Sequence, residues 1–114
     1  MISALAFVAA AAAGALARAE AGRRWNRHDG MPVGTLVVNV TGSFLLGLLA
    51  DVGTPTMTIL GVGALGAFTT FSSFARDAVT LAERRHFAQF ALYVGASCAL
   101  AVVAAAAGIA LSGA

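Results

Sequence analysis

Four long apolar runs follow one another along the chain, and short polar segments separate them. A membrane-spanning helix needs about 20 apolar residues, because each residue rises about 1.5 Å and the hydrocarbon is about 30 Å thick. The pattern therefore predicts an all-α membrane protein with four transmembrane helices. Their approximate bounds are 2–18, 32–50, 56–80 and 87–111.

These helices use nearly the whole chain, so we predict a single transmembrane domain over residues 1–114. Only Met1 precedes the first run, whereas a signal peptide needs a positively charged segment there. We therefore interpret the first run as a membrane helix. A bundle of this size can hardly enclose a site alone, so we expect an oligomer.

The composition narrows the class of protein further. Apolar residues make up 60% of the chain and charged residues 11%, whereas soluble domains are about 45–50% apolar and about 25% charged. These values exclude a disordered chain and a soluble enzyme domain. No run brings a nucleophile, a base and an orienting group together, so we expect no enzymatic activity.

All the basic side chains lie in or beside the loops after the first and third helices. They are seven arginines: Arg18, Arg23, Arg24, Arg27, Arg76, Arg84 and Arg85. With four crossings these loops share one side of the membrane, and short cytoplasmic loops collect Arg and Lys. We therefore expect the cell inner (plasma) membrane, with both termini outside. The arginines then contact lipid headgroups, so the lipid bilayer is an expected partner and nucleic acid is not.

Polar residues recur within the second run. Thr35, Asn39 and Ser43 are spaced i, i+4 and i+8 and share one helix face. The hydroxyls could bond back to carbonyls of their own helix. The amide of Asn39 offers two donors and an acceptor, which no backbone partner would satisfy completely. We therefore predict a functional or inter-helix role for Asn39.

The third run combines glycines with hydroxyls. Three glycines precede four hydroxyl side chains: Gly61, Gly63 and Gly66, then Thr69, Thr70, Ser72 and Ser73. Glycine weakens a helix by about 1 kcal/mol, and hydroxyls can bond the backbone groups that an interruption exposes. We predict a third helix broken at its middle, whose unwound carbonyls could hold a cation. A continuous helix with small residues for close packing is the alternative.

Aromatic residues accompany these hydroxyls. Phe71 and Phe74 are spaced i, i+3, and the positive edges of their rings could face an anion. Ordinary packing or lipid contact is the alternative for both. Tyr93 and Ser97 share one face of the fourth run and could contact an ion or pack.

Three segments of the chain resemble the Fluc (CrcB) fluoride channel family. They are GALAR at 14–18, GTLVVNVTGSFLLG at 34–47 and GALGAFTTFSSF at 63–74. The resemblance implies a fluoride-specific channel that passively exports fluoride from the cytoplasm, reduces its toxicity and so confers fluoride resistance. It also implies an antiparallel dimer of four-helix subunits.

The resemblance assigns roles to individual residues. The implied ion pathway comprises Asn39, Phe71, Phe74, Thr35, Ser72, Tyr93 and Ser97. Arg18 would lie at the mouth, and the backbone carbonyls of Gly66 and Thr69 would hold one structural, non-transported Na+. The implied partners are fluoride and a second subunit in the opposite orientation.

The one-sided distribution of arginine bears on that second subunit. A chain fixed in one orientation cannot form an antiparallel dimer with itself, so we favour a paralogous partner over a homodimer. Two alternatives to a channel remain, namely a small four-helix antiporter and a non-conducting partner subunit of a heterodimeric channel. An antiporter needs a membrane-embedded carboxylate, and we expect all five acidic residues to lie at run ends or in loops.

Overall fold

The computed structural model describes residues 2–27 and 30–113, which form five helices in those ranges. Helix α1 comprises Ile2–Trp25, α2 comprises Val33–Leu48, and α5 comprises Phe87–Ser112. Between them, α3 covers residues 54–68 and α4 covers Phe71–Glu83. Within α3, Met57–Leu65 is a π-helix flanked by single α-helical turns.

The helices have the length and composition of membrane spans. In the described part of the chain, Ser3–Trp25, Thr54–Glu83 and Phe87–Ser112 are long and apolar enough to cross a bilayer. Helix α2 is also apolar but has only 16 residues. Large apolar side chains such as Leu16 and Val102 are exposed along these helices, as expected for contact with lipid. The predicted all-helical membrane architecture is thus confirmed.

Helix α1 continues beyond Arg18, where the sequence predicted its end. The exposed last turns carry a Glu20 carboxylate that bonds both Arg23 and Arg24, each with a shortest N–O distance of 2.6 Å. Pairs spaced three and four residues apart lie on the same face of a helix and stabilise it. The helix therefore extends to Trp25 through its charged residues.

Small residues bring the helices close together. A side chain at Gly47 would collide with the backbone of Ala105, and one at Gly108 would collide with the backbone of Phe44. Helices α2 and α5 therefore approach each other backbone to backbone. Small residues at such contacts are typical of membrane helices, whose association depends on close packing rather than on exclusion of water.

The segment Thr54–Glu83 bends at two threonines. Thr69 and Thr70 have extended backbones, with φ −76° and ψ 157° and with φ −150° and ψ 116°, respectively. The sequence interpretation attributed the interruption to the glycines, but Gly66 is helical, with φ −62° and ψ −37°. Gly61 and Gly63 are buried within the π-helix. Gly61 and Gly63 thus allow close packing, whereas Gly66 is exposed, and the bend falls at the hydroxyl residues.

Candidate functional site

Hydroxyl groups satisfy the backbone at the bend. The Leu65 carbonyl accepts hydrogen bonds from both the N–H and the Oγ1 of Thr69, each at 2.9 Å. On the other side, Thr70 Oγ1 accepts from the Ser73 N–H at 3.0 Å and so caps α4. Unpaired backbone groups are costly in hydrocarbon, so these side chains allow the chain to bend there.

Asn39 joins α2 to the bend. Its Nδ2 donates to the Thr70 carbonyl at 2.9 Å, and its Oδ1 accepts from the Thr70 N–H at 2.8 Å. The backbone of Thr70 therefore satisfies one donor and the acceptor of the amide. Asn39 thus makes an inter-helix contact, one of the two roles predicted for it, although the sequence did not indicate a backbone partner. The second N–H of Nδ2 has no hydrogen-bond partner among residues 2–27 and 30–113. It is the donor that remains for a ligand.

A cleft of about 330 Å³ lies beside the bend. We call it the bend cleft. Five of the predicted site residues line it: Asn39, Gly66, Thr69, Phe71 and Phe74. The other lining residues are Gly42, Ser43, Leu46, Gly61, Leu65 and Thr70. None of these lining residues carries a formal charge, so the cleft offers amide, hydroxyl and aromatic groups.

The aromatic side chains form a short row of mutually tilted rings. The ring centroids of Phe71 and Phe74 are 6.0 Å apart, and those of Phe74 and Tyr93 are 5.3 Å apart. Phe71 is 79% exposed in the single chain, whereas Tyr93 is fully buried. The Phe pair therefore lies at the cleft, and Tyr93 packs behind it.

The remaining predicted residues lie at different depths. The exposed Ser72 has its Oγ 3.4 Å from Thr70 Oγ1. Ser97 is 7% exposed, and its Oγ has no partner in the described part of the chain. Neither Tyr93 nor Ser97 lines the bend cleft. The structure thus separates the predicted pathway into a group at the cleft and a group buried behind it.

A second cavity of about 270 Å³ lies toward the arginine-rich end. We call it the basic cavity. Three guanidinium groups border it, from Arg18, Arg23 and Arg76. Thr35 and Thr70 also line it, and Thr70 lines the bend cleft as well. Arg18, the predicted mouth residue, therefore borders a cavity that shares one wall with the bend cleft.

A hydrogen-bond network connects Thr35 with Tyr93. Thr35 Oγ1 donates to Asp77 Oδ2 at 3.1 Å, and the Tyr93 hydroxyl donates to the same oxygen at 3.4 Å. The hydroxyl of Thr35 is thus directed to another helix and not to a carbonyl of α2. Asp77 follows the end of the third apolar run, as the sequence indicated, and it is only partly exposed.

Sequence reasoning missed three members of this site: Asn26, Thr70 and Asp77. Asn26 bonds Thr35 from the end of α1. Pro32, which immediately precedes α2, has no side chain that could cap this helix. This lack indicates that another residue must supply the cap, and it is the one sequence feature that could have pointed to Asn26. Thr70 was visible as one of several hydroxyls, and only its contact with Asn39 distinguishes it.

The backbone carbonyl oxygens near the bend are the candidate ligands for a cation. In residues 2–27 and 30–113, no group of three or more His, Cys, Asp or Glu side chains could hold a metal ion. Gly66 and Thr69 both border the bend cleft, and the extended backbone at Thr69 turns its carbonyl away from the helical pattern. Carbonyl oxygens are hard ligands suited to a hard cation. The residues present therefore fit a cation bound by backbone oxygen.

Fold and site together define a small helical membrane protein with a polar, uncharged cleft beside a bent helix. A family described as "CrcB-like protein, Camphor Resistance (CrcB)" matches residues 5–109. The chain belongs to this CrcB family, which confirms the resemblance found in the sequence.

Curated relatives carry a more specific name. A protein of Phenylobacterium zucineum is 44% identical in an alignment of 115 residues including gaps, which covers 91% of this chain and 90% of the relative. One of Cereibacter sphaeroides is 49% identical over 83 residues, covering 69% and 67% of the two chains. Both are named fluoride-specific ion channel FluC. A Bacillus cereus relative named FluC 2 is 40% identical over 84 residues, covering 72% and 71%.

Proposed function

We propose that this chain is a subunit of a fluoride-specific ion channel that passively exports fluoride from the cytoplasm and so reduces its toxicity. One observation carries the proposal. The bend cleft brings the unused N–H of Asn39 together with Phe71 and Phe74, and its lining has no charged side chain. The names of the relatives support the choice of fluoride.

This chemistry suits a small, strongly hydrated anion. Fluoride leaves water only where other donors replace its hydration shell, and a fixed positive charge in the cleft would hold it too tightly for passage. The amide N–H of Asn39 and the positive ring edges of Phe71 and Phe74 attract an anion without a formal charge. Thr35, Ser72, Tyr93 and Ser97 complete the polar track in this proposal, and Arg18 lies at its mouth.

A second subunit would complete the pathway. Gly66, Phe71 and Ser72 are exposed at one side of the bend, where a second four-helix subunit in the opposite orientation would cover them. Phe71 is the largest of these exposed side chains, and its burial would favour association. We therefore propose an antiparallel dimer with pores at the subunit interface.

We further propose that the carbonyls of Gly66 and Thr69 hold one structural Na+ at the centre of that dimer. The ion would neutralise carbonyl dipoles that meet at two bends, and it would not be transported. Replacing sodium by a large organic cation on both sides should slow fluoride flux. Uptake of radioactive sodium at the rate of fluoride flux would contradict the structural role.

The decisive test of fluoride passage is the double variant Phe71→Ile and Phe74→Ile. Aliphatic groups fill the same space but lack the positive ring edge, so fluoride efflux from liposomes should vanish. A fluoride electrode measures the efflux, and Phe87→Ile provides a matched control on an exposed phenylalanine outside the cleft. Unchanged efflux in the double variant would overturn the assignment of the pore.

The arginine distribution supports a proposal about orientation. Arg18, Arg23 and Arg76 border one cavity, and Arg27 and Arg84 border a neighbouring one. Positive charge at one end favours insertion with that end in the cytoplasm of the plasma membrane and the termini outside. An antiparallel dimer then requires a paralogous partner with the opposite bias, whereas dual insertion would allow a homodimer.

Reporters that are active only in the cytoplasm or only in the periplasm test this orientation when fused to the C-terminus. Periplasmic signal alone, with fluoride flux only on co-expression of an oppositely oriented relative, would support the paired channel. Comparable signals from both reporters would show dual insertion and overturn the requirement for a partner.

The partly buried Asp77 gives the antiporter alternative a specific basis, since coupled exchange needs an embedded carboxylate. The two functions respond differently to a proton gradient. In a passive channel, a proton gradient imposed at equal fluoride concentrations, with the membrane potential clamped at zero, should not drive fluoride toward an internal concentration beyond the one that diffusion of neutral HF produces in protein-free liposomes. Fluoride accumulation beyond that in the protein-free liposomes would favour coupled exchange.

A further inference from the structure

Asn26 lies in the connection between α1 and α2, and its side chain supplies the hydrogen-bond acceptor that is missing at the start of α2. Helix α2 begins at Val33, and Pro32 before it has no side chain able to cap the helix. The Thr35 N–H belongs to the first turn, where backbone donors have no partner within the helix. Asn26 Oδ1 accepts from this N–H at 3.0 Å. The side chain thus caps α2 from the preceding helix.

The other end of the same amide controls the Thr35 hydroxyl. Asn26 Nδ2 donates to Thr35 Oγ1 at 3.2 Å. A hydroxyl has one hydrogen, so an oxygen that accepts from Asn26 still donates that hydrogen once. It goes to Asp77 Oδ2 at 3.1 Å. A threonine in a helix commonly donates to a carbonyl one turn earlier, and the Asn26 contact opposes that rotation.

The hydrogen bonds therefore run in one direction, from Asn26 through Thr35 to Asp77, and Tyr93 donates to Asp77 from the other side. Asn26 and Thr35 both line the basic cavity, which adjoins the bend cleft at Thr70. The Thr35 hydroxyl can donate its hydrogen in only one direction. That direction therefore determines which hydrogen-bond donors remain for an anion at the basic-cavity end of the proposed polar track.

We propose that Asn26 is a positioning residue for anion passage, which acts by fixing the direction of the Thr35 hydroxyl. This role rests on the proposed channel function. It is separate from the capping of α2, because the two ends of the amide make the two contacts: Oδ1 holds the backbone, and Nδ2 orients the hydroxyl.

The variant Asn26→Asp separates the two contacts. Aspartate keeps the oxygen that caps Thr35 N–H and loses the Nδ2 donor, so the Thr35 hydroxyl is free to donate to residue 26 instead of Asp77. Its thermal unfolding midpoint in detergent should fall less than that of Asn26→Ala, because the cap of α2 is kept, while fluoride efflux falls about tenfold, which corresponds to one hydrogen bond of ordinary strength. Asn26→Ala removes both contacts, so its unfolding midpoint and its flux should both fall.

Two further comparisons separate hydrogen-bond direction from added charge. Ala19→Asp introduces a carboxylate at the same basic cavity without contact to Thr35, so it reports the effect of charge alone. The exchange variant Asn26→Asp with Asp77→Asn restores the net charge but reverses the donor direction. It should remain impaired, and full recovery of efflux would show that charge alone explains the loss.

A double-mutant cycle tests whether Asn26 acts through Thr35. In a Thr35→Val background the hydroxyl is absent, so Asn26→Asp should cause no further loss of efflux beyond that of Ala19→Asp. Wild-type efflux in Asn26→Asp, or a full additional loss in the Thr35→Val background, would overturn the positioning role. Absence of fluoride efflux from the wild type in every assembly would overturn the proposed channel and this role with it.

Discussion

The bend cleft and the basic cavity offer an anion different kinds of side chain. The cleft is lined by an amide, hydroxyls and phenyl rings, none of them formally charged. The basic cavity is lined by three arginines, of which Arg23 pairs with Glu20. Thr70 belongs to both linings, so a single residue separates the charged region from the neutral one.

This difference suits a path for an anion. Full positive charges at the end of the path raise the local concentration of anions and speed their capture. Farther along, neutral donors can replace water around an ion without holding it. The arrangement at Thr70 matters most, because Asn39 fixes the backbone of that residue from the cleft side. Variants on the two sides should therefore affect flux in different ways.

The largest effect should come from Asn39→Asp, which places a charge in the neutral region. The carboxylate loses the donor to the Thr70 carbonyl, repels that oxygen and opposes the entry of an anion. Fluoride efflux from liposomes should become undetectable. Thr41→Val is the matched control, since Thr41 is an exposed α2 residue outside the bend cleft. Efflux near the wild-type rate in Asn39→Asp would show that the cleft is not the path.

A smaller effect should follow from neutralising the basic cavity with Arg18→Gln and Arg76→Gln. Neither guanidinium has an ion-pair partner in the part of the chain that the structure describes. Their charge attracts anions over a distance that salt screens, with a Debye length of about 10 Å at 0.1 M. Efflux at low fluoride should fall several-fold, and the loss should shrink as ionic strength rises.

Arg24→Gln serves as the control, because Arg24 pairs with Glu20 and does not border the basic cavity. Its removal should change efflux much less than the double change at Arg18 and Arg76. An equal loss in the two variants, or a loss that does not depend on ionic strength, would mean that the basic cavity does not concentrate the ion.

Much of the fold could be predicted from the sequence, because apolar runs of about 20 residues are typical of membrane-spanning helices. The bend lies near the middle of the third helix predicted over 56–80, but the sequence did not show whether the glycines or the hydroxyl residues lie at it. Three glycines in one run indicate a weak helix, but a glycine also permits close packing, and Gly61 and Gly63 are buried in a continuous π-helix. The bend lies at Thr69 and Thr70 because hydroxyls and the Asn39 amide satisfy the backbone there.

Some residues of the candidate site could likewise be predicted from the sequence, and others could not. Residues with a strong chemical signature, such as Asn39 and the Phe pair, were found from the sequence and line the bend cleft. Asn26 and Asp77 were not assigned, because each lies next to an arginine beyond the end of an apolar run, where charged and amide side chains are ordinary. Only the contacts with Thr35, across separations of 9 and 42 residues, distinguish them.

A steric change can test how firmly α2 holds the bend. A side chain at Gly42 would collide with Thr69 Cγ2, so Gly42→Ala should push the two elements apart and lower the free energy of unfolding by about 1–3 kcal/mol. Gly95→Ala is the control, because a Cβ there meets nothing within 4 Å and alanine favours a helix. Thermal unfolding in detergent measures both. Equal stability of the two variants would show that the bend does not depend on this contact.

The smallest effect concerns the wall that the two cavities share. Thr70→Val keeps the shape of the side chain but removes the Oγ1 that accepts from the Ser73 N–H, and the loss of such a helix cap costs about 1 kcal/mol. Thr70→Ser retains the hydroxyl and should unfold at nearly the wild-type temperature. Because Asn39 bonds the backbone of residue 70 and not its side chain, that contact should persist in both variants. A loss of stability in Thr70→Ser as large as that in Thr70→Val would mean that the methyl group, and not the cap, stabilises the start of α4.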